Sequence, residues 1–340
     1  MTARAKSNPS GTNILVLGAS GLIGNAIVRE LIRQGHDVTG TCRRPHNTVR
    51  NLDDLNMRVV RGDIDTPGCL DAWIEGHDVV VDAAAPYPLH LMYTSEGSER
   101  PTLHSAEKRT DALISSLQRH DAKLIHISTL LAQPTDPGTG LSGLQRRMMR
   151  VIHPYFLIKS AIERRLRGAM AELPGVVIVQ PSACIGPYDV KPREQCLVPK
   201  LASGEVLVAI SHKMNVIDTR DLASGITAAI RGECYGQTLQ LSGHNTSVDE
   251  MLSEIETISG APAPRLRYPA ALGVLPSYWA ELMWATVGRP SPLPSLLPTL
   301  VCEQGWMKTG DQQRALGIVP RPLNETMSDT IRWYHDLGYC

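Results

Sequence analysis

The fold is decided by one stretch: Asn13-Ile14-Leu15-Val16-Leu17-Gly18-Ala19-Ser20-Gly21-Leu22-Ile23-Gly24. Its first part is apolar, partly β-branched and stopped by a glycine, which predicts a buried strand. Leu22, Ile23, Ala26, Ile27, Leu31 and Ile32 then recur at helical spacing until Gly35, which predicts a helix with a glycine end. Between the two lies a GxxGxxG. Glycines there permit a tight turn and let backbone approach a pyrophosphate, while the helix start offers free N–H groups and partial positive charge. A glycine triplet alone is weak; directly after a strand and opening a helix it predicts dinucleotide binding at Gly18, Ser20, Gly21, Leu22, Ile23 and Gly24.

Outward from that turn, apolar runs repeat at Asp37–Cys42, Met57–Val60, Asp78–Ala83, Lys123–Ser128 and Gly175–Gln180. Nearly unbroken apolar strands separated by helices predict an α/β fold, a Rossmann-type doubly wound parallel sheet. After Pro181 proline becomes frequent and the alternation loosens, so a smaller C-terminal substrate-binding lobe is expected. The expected division is a nucleotide-binding domain at 12–185, with 213–232 returning to it, a lobe at 186–212 and 233–340, and a disordered tail at 1–11.

Cofactor choice is read at the end of the second strand. A carboxylate there would pair with the ribose hydroxyls of NAD, and an arginine would favour the 2′-phosphate of NADP. The chain reads Thr41-Cys42-Arg43-Arg44-Pro45, so NADP is expected, held by Arg43 and Arg44. Tyr155 and Lys159 share a helix face at i and i+4. An adjacent ammonium would lower a phenol from its ordinary pKa near 10 and make the pair a usable acid/base. Ser128-Thr129 ends the fifth strand, where such sheets bind ligands.

Composition narrows the partners. Thirty-four Lys and Arg balance thirty-four Asp and Glu, against the basic surface that nucleic acids need. Nine Tyr, five Trp and the single Phe156 make a poor platform for stacking bases. The seven cysteines form no CxxC and have no histidine at finger spacing, so neither a disulfide framework nor a metal site is expected. The first eleven residues lack an apolar core, Pro276 and Glu281 interrupt the run Pro269–Gly288, and a protein of the reducing cytoplasm with no membrane span is expected.

The ordered landmarks resemble the extended short-chain dehydrogenase/reductase superfamily, its NAD-dependent epimerase/dehydratase-like members, from about Asn13 to Tyr339. They include Gly62-Asp63-Ile64-Asp65, Ala83-Ala84-Ala85, Ser128-Thr129, Tyr155 with Lys159, Pro181 with Ile185-Gly186-Pro187, and Val216–Ala223. The tail Ala315–Pro322 followed by Thr330–Tyr334 resembles the dihydroflavonol-reductase and 3β-hydroxysteroid-dehydrogenase branch. The resemblance implies that Tyr155 exchanges the substrate proton, Lys159 holds the nicotinamide ribose, and Thr129 hydrogen-bonds the reacting oxygen, with Ser128 as the alternative. It implies that Asp63 and Ile64 flank the adenine, that Arg43 meets the 2′-phosphate, and that Ala83, Ala84, Ala85 and Pro181 complete the cofactor site. A homodimer is the family expectation.

The chain also departs from the pattern. Ala106 stands where the family often has Asn, the insert Pro86–Ser105 is atypical, and Gln180 and Ala183 replace the Arg and Asn that sugar-nucleotide members place near the diphosphate. Gln145–Arg150 reads as a solvated helix face, His126 as a core histidine, and His153 as a possible substrate contact. Ala270–Trp284 reads as core or dimer surface. The expected function is an NADP-dependent reductase of a ketone or aldehyde on a small, mainly apolar substrate. The rivals are a sugar-nucleotide epimerase or dehydratase holding NAD, and a catalytically retired NADP sensor.

Overall fold

The computed structural model describes residues 11–43, 51–84, 102–132, 153–173, 175–190, 197–206, 208–232, 234–289, 291, 295–303 and 305–340. Strands β1 (Asn13–Leu17), β2 (Asp37–Cys42), β3 (Arg58–Arg61), β4 (Val79–Asp82), β5 (Lys123–Ile127) and β6 (Val176–Pro181) alternate with helices. These are α1 (Leu22–Arg33), α2 (Cys69–Ile74), α3 (Leu103–His120) and α4 (Pro154–Ala169). The six strands and a seventh, β10 (Thr238–Leu241), lie in the order β10-β6-β5-β4-β1-β2-β3, and every pairing in this sheet is parallel.

Successive residues of each central strand face opposite ways, which is why these strands read as unbroken apolar runs. Ile14, Val16, Val79, Val81, Ile125 and Ile127 face one core with Ala26, Ile27 and Leu31 of α1. Leu15, Leu17, Val80, Leu124 and Ile178 face the other with Leu113, Leu117, Ile158 and Ile162 of α3 and α4. Order 3-2-1-4 puts a topological switch between β1 and β4, and ligands of such sheets bind at the carboxyl ends there.

After β6 the chain runs through β7 (Ala183–Ile185), α5 (Leu197–Ala202), β8 (Val208–Ser211), β9 (Lys213–Asp218), α6 (Thr219–Arg231), β10 (Thr238–Leu241) and β11 (His244–Ser247). Then follow α7 (Val248–Ser259), β12 (Leu266–Pro269), α8 (Ala270–Thr286), α9 (Leu296–Glu303), α10 (Asp311–Ala315) and α11 (Leu323–Asp336). The expected return of residues 213–232 to the main sheet is made differently. β9 pairs instead with β7 and β11 in a small sheet; α6 packs on α1, and β10, expected in the lobe, supplies the seventh strand beside β6. The Val216–Ala223 motif builds that junction: Asp218 caps α6 by accepting from Arg220 N–H at 2.8 Å, and the Arg220 guanidinium joins Asp218 to Asp329 of α11.

Within the run read as core or dimer surface, Tyr278 is buried while Leu272, Leu275, Trp279, Leu282 and Met283 are exposed along one side of α8. Among the described residues no helix is long and apolar enough to cross a membrane.

Candidate active site

The glycine turn closes on itself. Gly18 has φ +79°, a left-handed conformation that glycine adopts without strain. Gly21 N–H donates to Gly18 O at 3.0 Å and Asn25 N–H to Gly21 O at 2.8 Å. Gly18 N–H reaches the Thr41 hydroxyl at 3.1 Å, tying the turn to β2. A Cβ on Gly24 would lie 2.2 Å from Gly18 O, and one on Gly18 would lie 3.0 Å from the Cα and Cβ of Ala84. Gly21 begins α1 with no side-chain cap, so the first N–H groups of the helix, at Leu22 and Ile23, lack intrahelical partners. Ser20 is buried beside them. A glycine cradle with an uncapped helix start fits the pyrophosphate of a dinucleotide.

β2 ends with Cys42 buried and Arg43 exposed; Arg44 lies outside the described residues. Cys42 O accepts from Gly62 N–H at 3.1 Å, which brings the Gly62–Asp65 segment to the β2 end. There Asp63 is exposed and Ile64 half-buried. Ala83 and Ala84 follow β4 against the glycine turn. Ala85 lies outside the described residues, as do most of the insert, the stretch Gln145–Arg150 and residues 1–10 of the tail. Pro181 closes β6, buried.

At the β5 end the Thr129 side chain stands beside the Tyr155 phenol. Tyr155 is 5% exposed; burial lifts its pKa to about 12, against the pull of Thr129. Lys159, one turn further along α4, donates to Ile127 O at 3.3 Å. Burial drops its pKa to about 8, with Asp82 and Glu163 pulling it back up. The expected lowering of the phenol by the ammonium is not what moves Tyr155 here: burial dominates the phenol, and Lys159 donates to the strand carbonyl Ile127 O.

Ser128 and Thr129 have separate partners. The Ser128 hydroxyl donates to Glu163 Oε2 at 2.7 Å, and Glu163 also accepts from Gln180 at 2.8 Å and Arg167 at 2.7 Å. Ser128 is thus engaged below the site, while Thr129 is at the phenol. Gln180, read as a substitute for a diphosphate ligand, is 1% exposed and tied to Glu163. Ala183 begins β7. His153 is buried and caps α4, its Nδ1 accepting from Tyr155 N–H at 3.2 Å; this orients the tyrosine's turn of helix.

Sequence reasoning missed the buried polar layer beneath these groups. Asp82 at the end of β4 accepts from Arg109 of α3 at 2.9 Å, and its Oδ2 lies 3.0 Å from His126 Nδ1. Burial pushes the Asp82 carboxyl up, but Arg109 and His126 outweigh it and hold it well below the ordinary carboxylate range. One part was legible: Glu163 lies four residues after Lys159, on the face that carries Tyr155. Asp82 and Arg109 carried no such signal.

The profile of the NAD dependent epimerase/dehydratase family matches residues 14–237. A dihydroflavonol 4-reductase-like protein of Synechocystis sp. is 25% identical over 338 residues, covering 95% of each chain. The 2-alkyl-3-oxoalkanoate reductase of Stenotrophomonas maltophilia is 25% identical over 332 residues, covering 91% of this chain and 94% of its own. Among solved structures, a nucleoside-diphosphate-sugar epimerase from Pseudomonas aeruginosa superposes with a TM-score of 0.71 at 22% identity, covering 96% of this chain and 99% of its own; that likeness concerns the fold. With the Rossmann-type sheet, the glycine turn and a family match over more than half its length, this chain belongs to the NAD dependent epimerase/dehydratase family.

Proposed function

We propose that the protein is an NADP-dependent reductase of a ketone or aldehyde on a mainly apolar substrate. The observation that carries this reading is the placing of Thr129 beside the buried Tyr155 phenol at the carboxyl end of β5, with Lys159 one turn away and donating to Ile127 O. When bound, the reduced dinucleotide supplies hydride to the carbonyl carbon. Thr129 and Tyr155 orient the carbonyl oxygen by donating to it. A phenol with a pKa of about 12 is protonated at neutral pH, so Tyr155 is set to give its proton to the oxygen as negative charge develops there. Lys159, still mostly charged at pH 7, would hold the nicotinamide ribose, and solvent reprotonates the phenolate left behind.

Arg43, exposed at the β2 end with no carboxylate among its neighbours in sequence, supports NADP over NAD. Reductase names among relatives of nearly equal length, the 2-alkyl-3-oxoalkanoate reductase among them, support a carbonyl substrate with apolar chains. So does the engagement of Gln180 with Glu163, which takes it away from any sugar-nucleotide diphosphate. A panel of carbonyl compounds followed by NADPH absorbance, beside an NADH control, tests this. Substrate-dependent NADPH oxidation is expected. Retention of NAD through purification, with no net NADPH turnover, would instead favour the epimerase or dehydratase reading.

A further inference from the structure

We infer that Asp82 and Arg109 are positioning residues of the cofactor site, clamping Ala84 against the glycine turn and setting the electrostatic field at the Lys159 ammonium. This rests on the cofactor reading above and deepens it.

The clamp holds both backbone groups of one residue. Ala84 N–H donates to Asp82 Oδ1 at 3.2 Å, and Arg109 Nη1 donates to Ala84 O at 2.9 Å. The loop is closed by the ion pair between Arg109 Nη2 and the same Asp82 oxygen, at 2.9 Å, with both side chains almost wholly buried. Ala84 in turn is the wall that Gly18 faces, close enough that a Cβ there would sit 3.0 Å away. A buried ion pair is a poor stability device, since apolar side chains of similar volume often serve as well or better. This one fixes the height of the cofactor floor.

The charges of the same pair act on Lys159. The groups around that ammonium are Asp82 from β4, Arg109 from α3, Glu163 from its own helix and Cys184 from β7. Ile127 O of β5 accepts a hydrogen bond from it. Behind these, His126 on β5 pairs with Asp82 and Arg167 on α4 with Glu163. Asp82 favours the charged lysine and Arg109 disfavours it. Burial has brought Lys159 down to about 8, so its titration falls in a range where the folded protein can be studied. Replacing the two residues must therefore move that titration in opposite directions. Loss of fold stability alone would not give these opposed signs.

The test is NADPH binding to the full chain, by fluorescence titration from about pH 6.5 to 9.5, with thermal unfolding alongside; no substrate is needed. Wild-type affinity is expected to fall above about pH 8 as Lys159 loses its proton. In Asp82→Asn, which keeps the acceptor but not the charge, the fall moves about one pH unit lower. In Arg109→Met it moves about one unit higher, and affinity at pH 7 drops about tenfold because Ala84 O loses its donor. Arg109→Lys restores the wild-type pH of the fall but not the affinity, since an ammonium keeps the charge without the two-pronged hold. Shifts of the same sign, or melting changes with no shift, overturn the inference. Wild-type protein that binds neither NADPH nor NADH at any pH overturns the cofactor reading instead. Should Asp82→Asn fail to fold, the upward shift in Arg109→Met and its reversal in Arg109→Lys decide the matter.

Discussion

Replacing Gly24 with alanine tests the geometry of the dinucleotide turn. The new Cβ would lie 2.2 Å from Gly18 O and 2.9 Å from its carbonyl carbon, where ordinary contact begins at 3.4 Å. The obstacle is backbone, so the first turn of α1 and the Gly18 peptide must part by about 1 Å. Overpacking of this kind costs about 1–3 kcal/mol, and the rigid neighbour puts Gly24→Ala in the upper part of that range. Alanine returns about 1 kcal/mol through helix propensity, leaving a net loss of about 2 kcal/mol. Gly168 is the control: it also lies in a helix, α4, and its Cβ would meet nothing within 4 Å, so Gly168→Ala should be neutral or stabilising by up to about 1 kcal/mol. Urea unfolding of both variants gives the steric cost by difference. NADPH titration should show at least about a tenfold loss in Gly24→Ala, equal to about 1.4 kcal/mol, and none in Gly168→Ala. If Gly24→Ala matches Gly168→Ala in stability and wild type in NADPH affinity, the turn is not the rigid cradle described here.

Other outcomes follow from single groups. Arg43→Ala should weaken NADPH by about 1.5–3 kcal/mol, the worth of hydrogen bonds to a charged partner, and leave NADH unchanged; equal loss for both cofactors would remove Arg43 from the phosphate. Thr129→Val should lower turnover about 10²–10³-fold, as loss of a donor to a developing oxyanion does. Ser128→Ala should instead cost about 1–3 kcal/mol of stability by leaving buried Glu163 short of a donor, with turnover far less affected; the reverse pattern would exchange their roles. The unfolded chain holds the Lys159 proton up to pH 10.5, whereas the folded chain releases it at about 8. Stability therefore rises with pH between those values, relieving a cost on the order of 3 kcal/mol. Lys159→Met should flatten that rise in unfolding free energies measured from about pH 8 to 10, and an unchanged slope would contradict the burial of a charged Lys159.

The central sheet was legible because its strands are buried on both faces and so read as apolar runs, with boundaries displaced by a residue or two. The glycine turn and the Tyr155–Lys159 pair were legible because each is a local pattern. β10 was not: Thr238-Leu239-Gln240-Leu241 is four residues long, and nothing local says that its partner is β6. β9 carries a strand pattern, but a pattern names no neighbour, and its pairing with β7 and β11 follows from chain geometry alone. The buried polar layer was hidden for a similar reason. Asp82 ends an apolar run, Arg109 sits in a helix rich in polar residues, and the two are far apart in sequence. Nor does sequence separate Ser128 from Thr129. They are neighbours just past β5, and only the folded chain ties one hydroxyl to Glu163 and sets the other beside Tyr155.

The proposed proton transfer depends on the phenol of Tyr155. Tyr155→Phe keeps the ring and removes the proton donor, so it should cut NADPH-dependent reduction of the best carbonyl substrate by about 10²–10⁴-fold while NADPH affinity stays at the wild-type value. Turnover at the wild-type rate in that variant would contradict the mechanism.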